Sequence, residues 1–182
     1  IAFTSAETFS SSRLINDFIQ QDEEQKHFIR ELKSTCSYQD IYNYVDEVRD
    51  LKVLIIGEVI IDEYIFCNSV GKSGKEPVMV SRKIRSEKFA GGVLSVANNL
   101  SDFCREIKIV SYLGEIDNQI EFITYSLREN VEFDYINKSD SPTIFKTRFI
   151  DEYTKTKIQG IYDINDENIN KDEENKLIKK LK

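Results

Sequence analysis

Histidine is almost missing from this 182-residue chain, with His27 the single example. Cysteine is scarce as well: Cys36, Cys67 and Cys104 are odd in number and widely spaced. They fit no metal-ligand spacing, which argues against a zinc site. The same scarcity leaves His27 without a cysteine or serine arrangement for nucleophilic catalysis. We expect His27, in EEQKHFIRELK, on a helix surface, and the thiols buried or half-buried in a reducing cytosol. Basic charge is also in short supply, 25 Lys and Arg against 32 Asp and Glu, for a net charge of −7. A nucleic-acid surface, which needs clustered Lys and Arg, is therefore not expected. No apolar run reaches the roughly 18–20 residues that a membrane-spanning helix needs. The N-terminal IAFTSAETFSSSRL has neither a basic start nor a long apolar core, so no signal peptide is expected.

What is present is ordinary for a soluble domain: 40% hydrophobic and 31% charged residues, enough for one real core. The chain starts on Ile and ends on the charged helix KDEENKLIKKLK, so we expect a piece of something larger. A half sheet of that kind would carry an unpaired edge and an exposed apolar face, and would aggregate or stay molten alone.

Residues 1–50 carry few strand signals. Leu14, Ile15, Phe18 and Ile19 share one helical face, and Phe28, Ile29 and Leu32 continue the pattern. Ser37 with Asp40 in SYQDIYNYVDEV resembles a capping box before a short helix. At Lys52 the texture changes, and we place a domain boundary near residue 50. KVLIIGEVIIDEYIF is a nearly continuous β-branched run, expected to be a strand buried on both faces of a parallel sheet. EPVMVSRKI then suggests a strand, GGVLSVANNLSDFC a helix, EIKIVSYLG a strand, NQIEFITYSLREN a helix and VEFDYI a strand. TIFKTRFID and KIQGIYDI, joined by the polar EYTKT, suggest a hairpin. The expected fold class is α/β: βαβ units carrying an appended β-layer.

Two stretches invite a phosphate-binding reading and fail it. VGKSGKEP contains Gly-Lys-Ser, but a P-loop needs a glycine where Phe66 stands, and Glu76-Pro77-Val78 leads into extended chain, not a helix. A solvated loop and a loop that closes on a substrate both remain open for it. FAGG lacks the three spaced glycines of a dinucleotide fingerprint. Gly91 and Gly92 remain as either a tight packing turn or a turn whose amides approach a ligand. In the helix that follows, Val93, Val96, Ala97 and Leu100 face a core, while Ser95, Asn98 or Asn99, and Asp102 form a polar stripe. Asp62 sits just after a buried strand, where an α/β sheet presents its ligands, and is either a hydroxyl acceptor or a surface acid. Glu58, nearer the strand interior, needs a partner if buried. Lys146 and Arg148 alternate with Phe145 and Thr147, so both lie on one face of their strand, facing an anion or solvent.

The order of these signals carries a resemblance. G-E-x-x-x-D-E-Y is followed by S-G-K-E-P-V, F-A-G-G-x-x-x-x-A-N, a strand ending S-Y-L-G, S-P-T-I-F-K-T-R-F and I-Y-D-I-N-D. Over residues 50–170 this resembles the N-terminal half of the ribokinase-like (PfkB) carbohydrate kinases, nearest the heptose-7-phosphate kinase branch. The resemblance implies a partial Rossmann-type sheet with a small β-sheet lid, the latter built from IIDEYIFC, EPVMVSRKI, TIFKTRFID and KIQGIYDI. It implies that Asp62 binds sugar hydroxyls, that Gly91 and Gly92 form a sugar-contacting turn, and that Lys146 and Arg148 hold a sugar phosphate. Ser95 stands where the family often has Asn. FTSAETFSSSRLIN is similar to the closing motif of cytidylyltransferase-like domains, which would make Ser10, Ser11, Ser12 and Arg13 nucleotide contacts. Residues 1–20 would then be the tail of a nucleotidyltransferase, 21–50 a helical linker and 51–182 the start of the kinase. ATP and Mg²⁺ are implied for the whole enzyme, as are a cytoplasmic location, no membrane partner and a homodimer through the lid. The family's G-x-G-D base motif is absent here, so this chain alone is expected to be inactive. A non-catalytic sugar-binding or dimerisation module is the alternative. A third is a bifunctional enzyme whose main activity is nucleotidyl transfer to a sugar phosphate.

Overall fold

The computed structural model describes residues 23–181. The chain divides between Asp46 and Glu47 into two compact units. In the N-terminal unit, helix α1 (Glu23–Thr35) is followed by α2 (Tyr38–Glu47). The expected capping box closes the junction: Asp40 Oδ2 accepts from the Ser37 amide at 2.8 Å, and Ser37 Oγ accepts from the Asp40 amide at 3.1 Å. Neither helix has a buried residue, and His27 lies on the surface beside Glu31. The positions Ser10, Ser11, Ser12 and Arg13, like the apolar face at 14–19, lie outside the described residues.

The C-terminal unit holds two sheets. The first is wholly parallel, with β1 (Lys52–Ile56) and β5 (Val131–Pro142) flanking the central β4 (Glu106–Ile116). The second is four-stranded, in the order β3 (Met79–Gly92), β2 (Val59–Lys72), β6 (Ile144–Asp151), β7 (Lys157–Asp163). Here β2 pairs with β3 and β6 with β7 antiparallel, while β2 and β6 run parallel. Those four strands are the segments expected to form a lid. Helix α3 (Val93–Leu100) follows β3, α4 (Ile120–Ser126) follows β4, and α5 (Lys171–Lys180) closes the described chain.

Val96, expected to face a core, is 49% exposed, and two expectations about strands need correction. KVLIIGEVIIDEYIF is not one strand: it breaks at Gly57–Glu58, and its two halves enter different sheets. The first half, β1, pairs only with β4, so Leu54 and Ile56 stay 49% and 56% exposed. The strand buried on both faces is β4, where Ile107, Ile109, Val110 and Leu113 are fully covered. A central strand has neighbours on both edges and layers on both faces, which is what such an apolar run demands.

The second correction concerns FAGG. Gly91 and Gly92 do not make a turn; they are the last residues of β3, paired with Ile60 and Val59. Gly92 has φ +56°, and a Cβ there would stand 2.3 Å from the Glu58 carbonyl oxygen. Only glycine accepts both demands. The next amide, Val93 N, donates to that same Glu58 carbonyl at 3.0 Å, so it is not free for a ligand. The chain thereby passes from strand directly into α3.

The core joins the two sheets. Val59 and Ile61 of β2 pack with Leu94 and Ala97 of α3, with Ile107, Ile109 and Leu113 of β4, and with Ile123 of α4. The start of the second sheet is thus anchored in the parallel layer, while its far end is not: every residue of β7 is exposed. Helix α5 docks through Glu173, which is buried and accepts from the Ser139 amide at 2.7 Å and from Asn170 N at 2.8 Å. These bonds, that from the Ser139 backbone foremost, hold its carboxyl below the ordinary glutamate range.

Candidate functional site

A cleft of about 330 Å³ opens past the carboxyl end of β1, beside the middle of β4. Parallel sheets present ligands at this edge, because the strand ends and following loops leave a crevice there. Its walls include Ile56, Gly57 and Glu58 after β1, Ser111 and Tyr112 of β4, and the segment 164–169. Ser111 Oγ donates to the Gly57 carbonyl at 2.5 Å, which ties the break between β1 and β2 to the central strand. Tyr112 donates its hydroxyl to Glu58 Oε1 at 2.9 Å; Glu58 is exposed, so burial does not oblige it to have a partner. Burial and then this carboxylate push the Tyr112 hydroxyl up to about 12. Lys138, buried on β5, donates to the carbonyls of Asn165 (2.7 Å) and Glu167 (2.5 Å) and faces the Tyr112 ring at 5.6 Å. It therefore fixes the segment that walls the cleft.

Ile144 continues the cleft into the second sheet. It lines the cleft, and it starts β6 in register with Ile60. Side chains two apart on a strand share a face, so Lys146 and Arg148 follow Ile144 on the same side. Register places Asp62 of β2 directly beside Lys146, and Tyr64 beside Arg148. Tyr162 of β7 pairs with Lys146 from the other side. The result is one mixed face of carboxylate, two cations and aromatic rings.

Within that face Asp62 Oδ1 and Arg148 Nη1 form a hydrogen-bonded ion pair whose side chains are 24% and 19% exposed. The guanidinium lies 5.6 Å from the ring centres of both Tyr64 and Tyr162, within cation–π range. Lys146 Nζ lies 5.6 Å from the Tyr162 ring, and no carboxylate pairs with it among the described residues. Gly91 completes the arrangement, since a Cβ there would come within 2.4 Å of Asp62 Oδ2. The glycine is needed for the carboxylate to fold back over β3.

Of the sequence-picked positions, Asp62, Gly91, Lys146 and Arg148 are thus adjacent through strand register or side-chain contact, whereas Gly92 lies beside Glu58 and Ile60. Ser95 lies half-buried on α3. Its neighbour Asn98 is occupied: it donates to the Ser126 carbonyl at 2.8 Å and accepts from Arg128 N at 3.2 Å, bracing α4. Gly71-Lys72-Ser73 falls at the β2–β3 hairpin, an exposed connection with no helix behind it. Tyr112, Lys138 and Tyr162 were not picked from sequence. Tyr112 sits in the quoted S-Y-L-G and Tyr162 in the quoted I-Y-D-I-N-D, so both lie in motifs the sequence offered; the pairing of Tyr162 with Lys146 follows from register, and Lys138 leaves no local trace.

Comparison with known proteins agrees with this architecture. No family model matches the chain. Its fold is matched by solved sugar kinases. A possible 1-phosphofructokinase from Thermotoga maritima aligns over 71% of this chain and 40% of its own at TM-score 0.51 and 16% identity. Phosphofructokinase-2 from Escherichia coli, in complex with fructose-6-phosphate, aligns over 74% and 41% at TM-score 0.50 and 14% identity. The chain therefore carries part of a ribokinase-like carbohydrate-kinase fold, as its motif order implied. In sequence it is similar to bifunctional protein HldE. The Pasteurella multocida protein is 27% identical over 113 residues, 62% of this chain and 24% of that protein. The protein from a Nitratiruptor species is 34% identical over 99 residues, 54% and 21% respectively. The chain thus spans about a quarter of the length of these curated relatives.

Proposed function

We propose that residues 51–182 are the sugar-binding part of an ATP-dependent kinase for a sugar phosphate, a heptose phosphate by the motif resemblance. The observation that carries this reading is the continuity of the crevice at Glu58 and Tyr112 with the Asp62, Lys146 and Arg148 face through Ile144. A polyol phosphate needs that combination: acceptors for hydroxyls, aromatic and aliphatic walls for its carbon skeleton, and cations for its phosphate. In this reading the carboxylate orients the hydroxyls, the cations neutralise the phosphate, and the sheet over the crevice excludes water.

The nucleotide belongs elsewhere in the whole enzyme. The Gly71–Ser73 stretch is a hairpin and does not open a helix as a phosphate-cradling loop would, and the chain holds no G-x-G-D base motif. Phosphoryl transfer depends on positioned charge around the transferred group, so the activity would belong to a longer, cytoplasmic enzyme. Residues 21–50 would be a linker in it, and 1–20 the end of a nucleotidyltransferase domain. The second sheet would also supply a dimer contact. The test is ADP release by the longer protein with ATP, Mg²⁺ and a heptose 7-phosphate. Turnover is expected there and none from residues 1–182 alone; absence of turnover in both would overturn the kinase reading.

A further inference from the structure

The chain between β7, the open edge of the second sheet, and α5 walls the cleft with its residues 164–169. Little packing holds this segment: Ile164, Asp166, Glu167 and Asn168 are exposed, and Asn165 and Ile169 are half-buried. Glu167 N bonds within it, to Asn165 Oδ1 at 2.9 Å. Among the described residues, the hydrogen bonds that tie 164–169 to the rest of the fold are the two from Lys138, to the Asn165 and Glu167 carbonyls. One ammonium supplies both. Ser139, next on β5, holds the helix that follows: its amide and hydroxyl each donate to Glu173 Oε1 at 2.7 Å.

Lys138 is only 4% exposed, and among the described residues no carboxylate forms an ion pair with it. Burying an ammonium costs free energy that an apolar side chain of similar length avoids. Packing alone would therefore favour a methionine at this position. What the ammonium adds is geometry, since donors on one nitrogen converge on two carbonyls of the same segment. That fixes where Asn165 and Asp166 stand in the cleft that Glu58 and Tyr112 also line. Lys138 itself is not among the residues lining the cleft.

We propose that Lys138 is a positioning residue: by clamping residues 164–169 at two carbonyls it sets one wall of the cleft and, through that wall, the affinity for the cleft's ligand. The effect on affinity rests on the sugar-phosphate reading. The clamp itself does not, and it is measured without any ligand.

The experiment combines hydrogen–deuterium exchange with steady-state kinetics on the longest natural form of the protein and its Lys138→Met and Lys138→Arg variants. In Lys138→Met the amides of 164–169 should exchange about tenfold faster or more, while those of β4 keep their wild-type protection, because a local opening leaves the core intact. KM for a heptose 7-phosphate should rise about five- to tenfold with kcat within about twofold, as expected when binding common to ground and transition states is lost. Lys138→Arg, which keeps a charged multiple donor, should restore much of both. Unchanged exchange in 164–169 of Lys138→Met overturns the clamp. Faster exchange throughout, β4 included, overturns it too, since that marks a residue which only supports the fold. Local opening with an unchanged KM overturns the link to affinity. Absence of turnover by the wild type overturns the kinase reading and the affinity effect with it, and the exchange measurement then decides the clamp by itself.

Discussion

The two sheets of the C-terminal unit are built from similar β-rich sequence and do opposite things with it. In the parallel sheet, β4 is covered on both faces and its aliphatic side chains are fully buried. In the second sheet, Val59 and Ile61 at the start of β2 reach the same core, whereas β7 is exposed along its whole length. One sheet is scaffold. The other is held at its base and spends its free face on charge and aromatic rings. The candidate site lies where the anchored part gives way to the open part, which combines fixed backbone with accessible side chains.

That contrast can be tested by stability. Leu94 has no exposed surface and packs between the two sheets, so Leu94→Ala should cost about 2–5 kcal/mol in chemical denaturation. A loss below about 1 kcal/mol would mean the sheets do not share a core. A smaller effect is expected at high pH. The Tyr112 hydroxyl is raised from 10.0 to about 12 in the fold. Its contribution is therefore fully present below about pH 10 and is lost as pH rises from there through about 12. Tyr112→Phe should remove part of that alkaline loss of stability, and an identical pH profile would show that burial and the Glu58 contact do not raise the Tyr112 hydroxyl in solution. Smallest of all, Ile161→Ala on the exposed β7 should change stability by no more than about 0.5 kcal/mol. If the second sheet makes a dimer contact, the same substitution should lower the sedimentation coefficient at fixed concentration; an unchanged coefficient argues against dimerisation there.

Much of this was legible in local sequence, and the rest was not for physical reasons. Alternation in TIFKTRF placed Lys146 and Arg148 on one face, because a strand's period of two is local. The hairpin strands TIFKTRFID and KIQGIYDI were recognisable from the polar turn between them, whereas the grouping of four segments as a lid came from the family resemblance. The break at Gly57–Glu58 was hidden by β-branched residues on both sides, since a run of that kind has no period to interrupt. Gly91 and Gly92 suggested a turn, yet they serve close approach, of Asp62 Oδ2 at one and the Glu58 carbonyl at the other. Such approach depends on a neighbouring strand. The Asp62–Arg148 pair spans 86 positions and follows from the parallel register of β2 and β6, which no local pattern encodes.

The central claim is that the Asp62, Lys146 and Arg148 face receives a sugar phosphate. Its most direct test is calorimetric titration of a heptose 7-phosphate into the longest natural form of the protein and its Asp62→Ala variant. We predict saturable binding to the wild type and a loss of about tenfold or more in Asp62→Ala, the cost of removing a charged hydroxyl acceptor. Equal affinity in the two proteins would contradict the account.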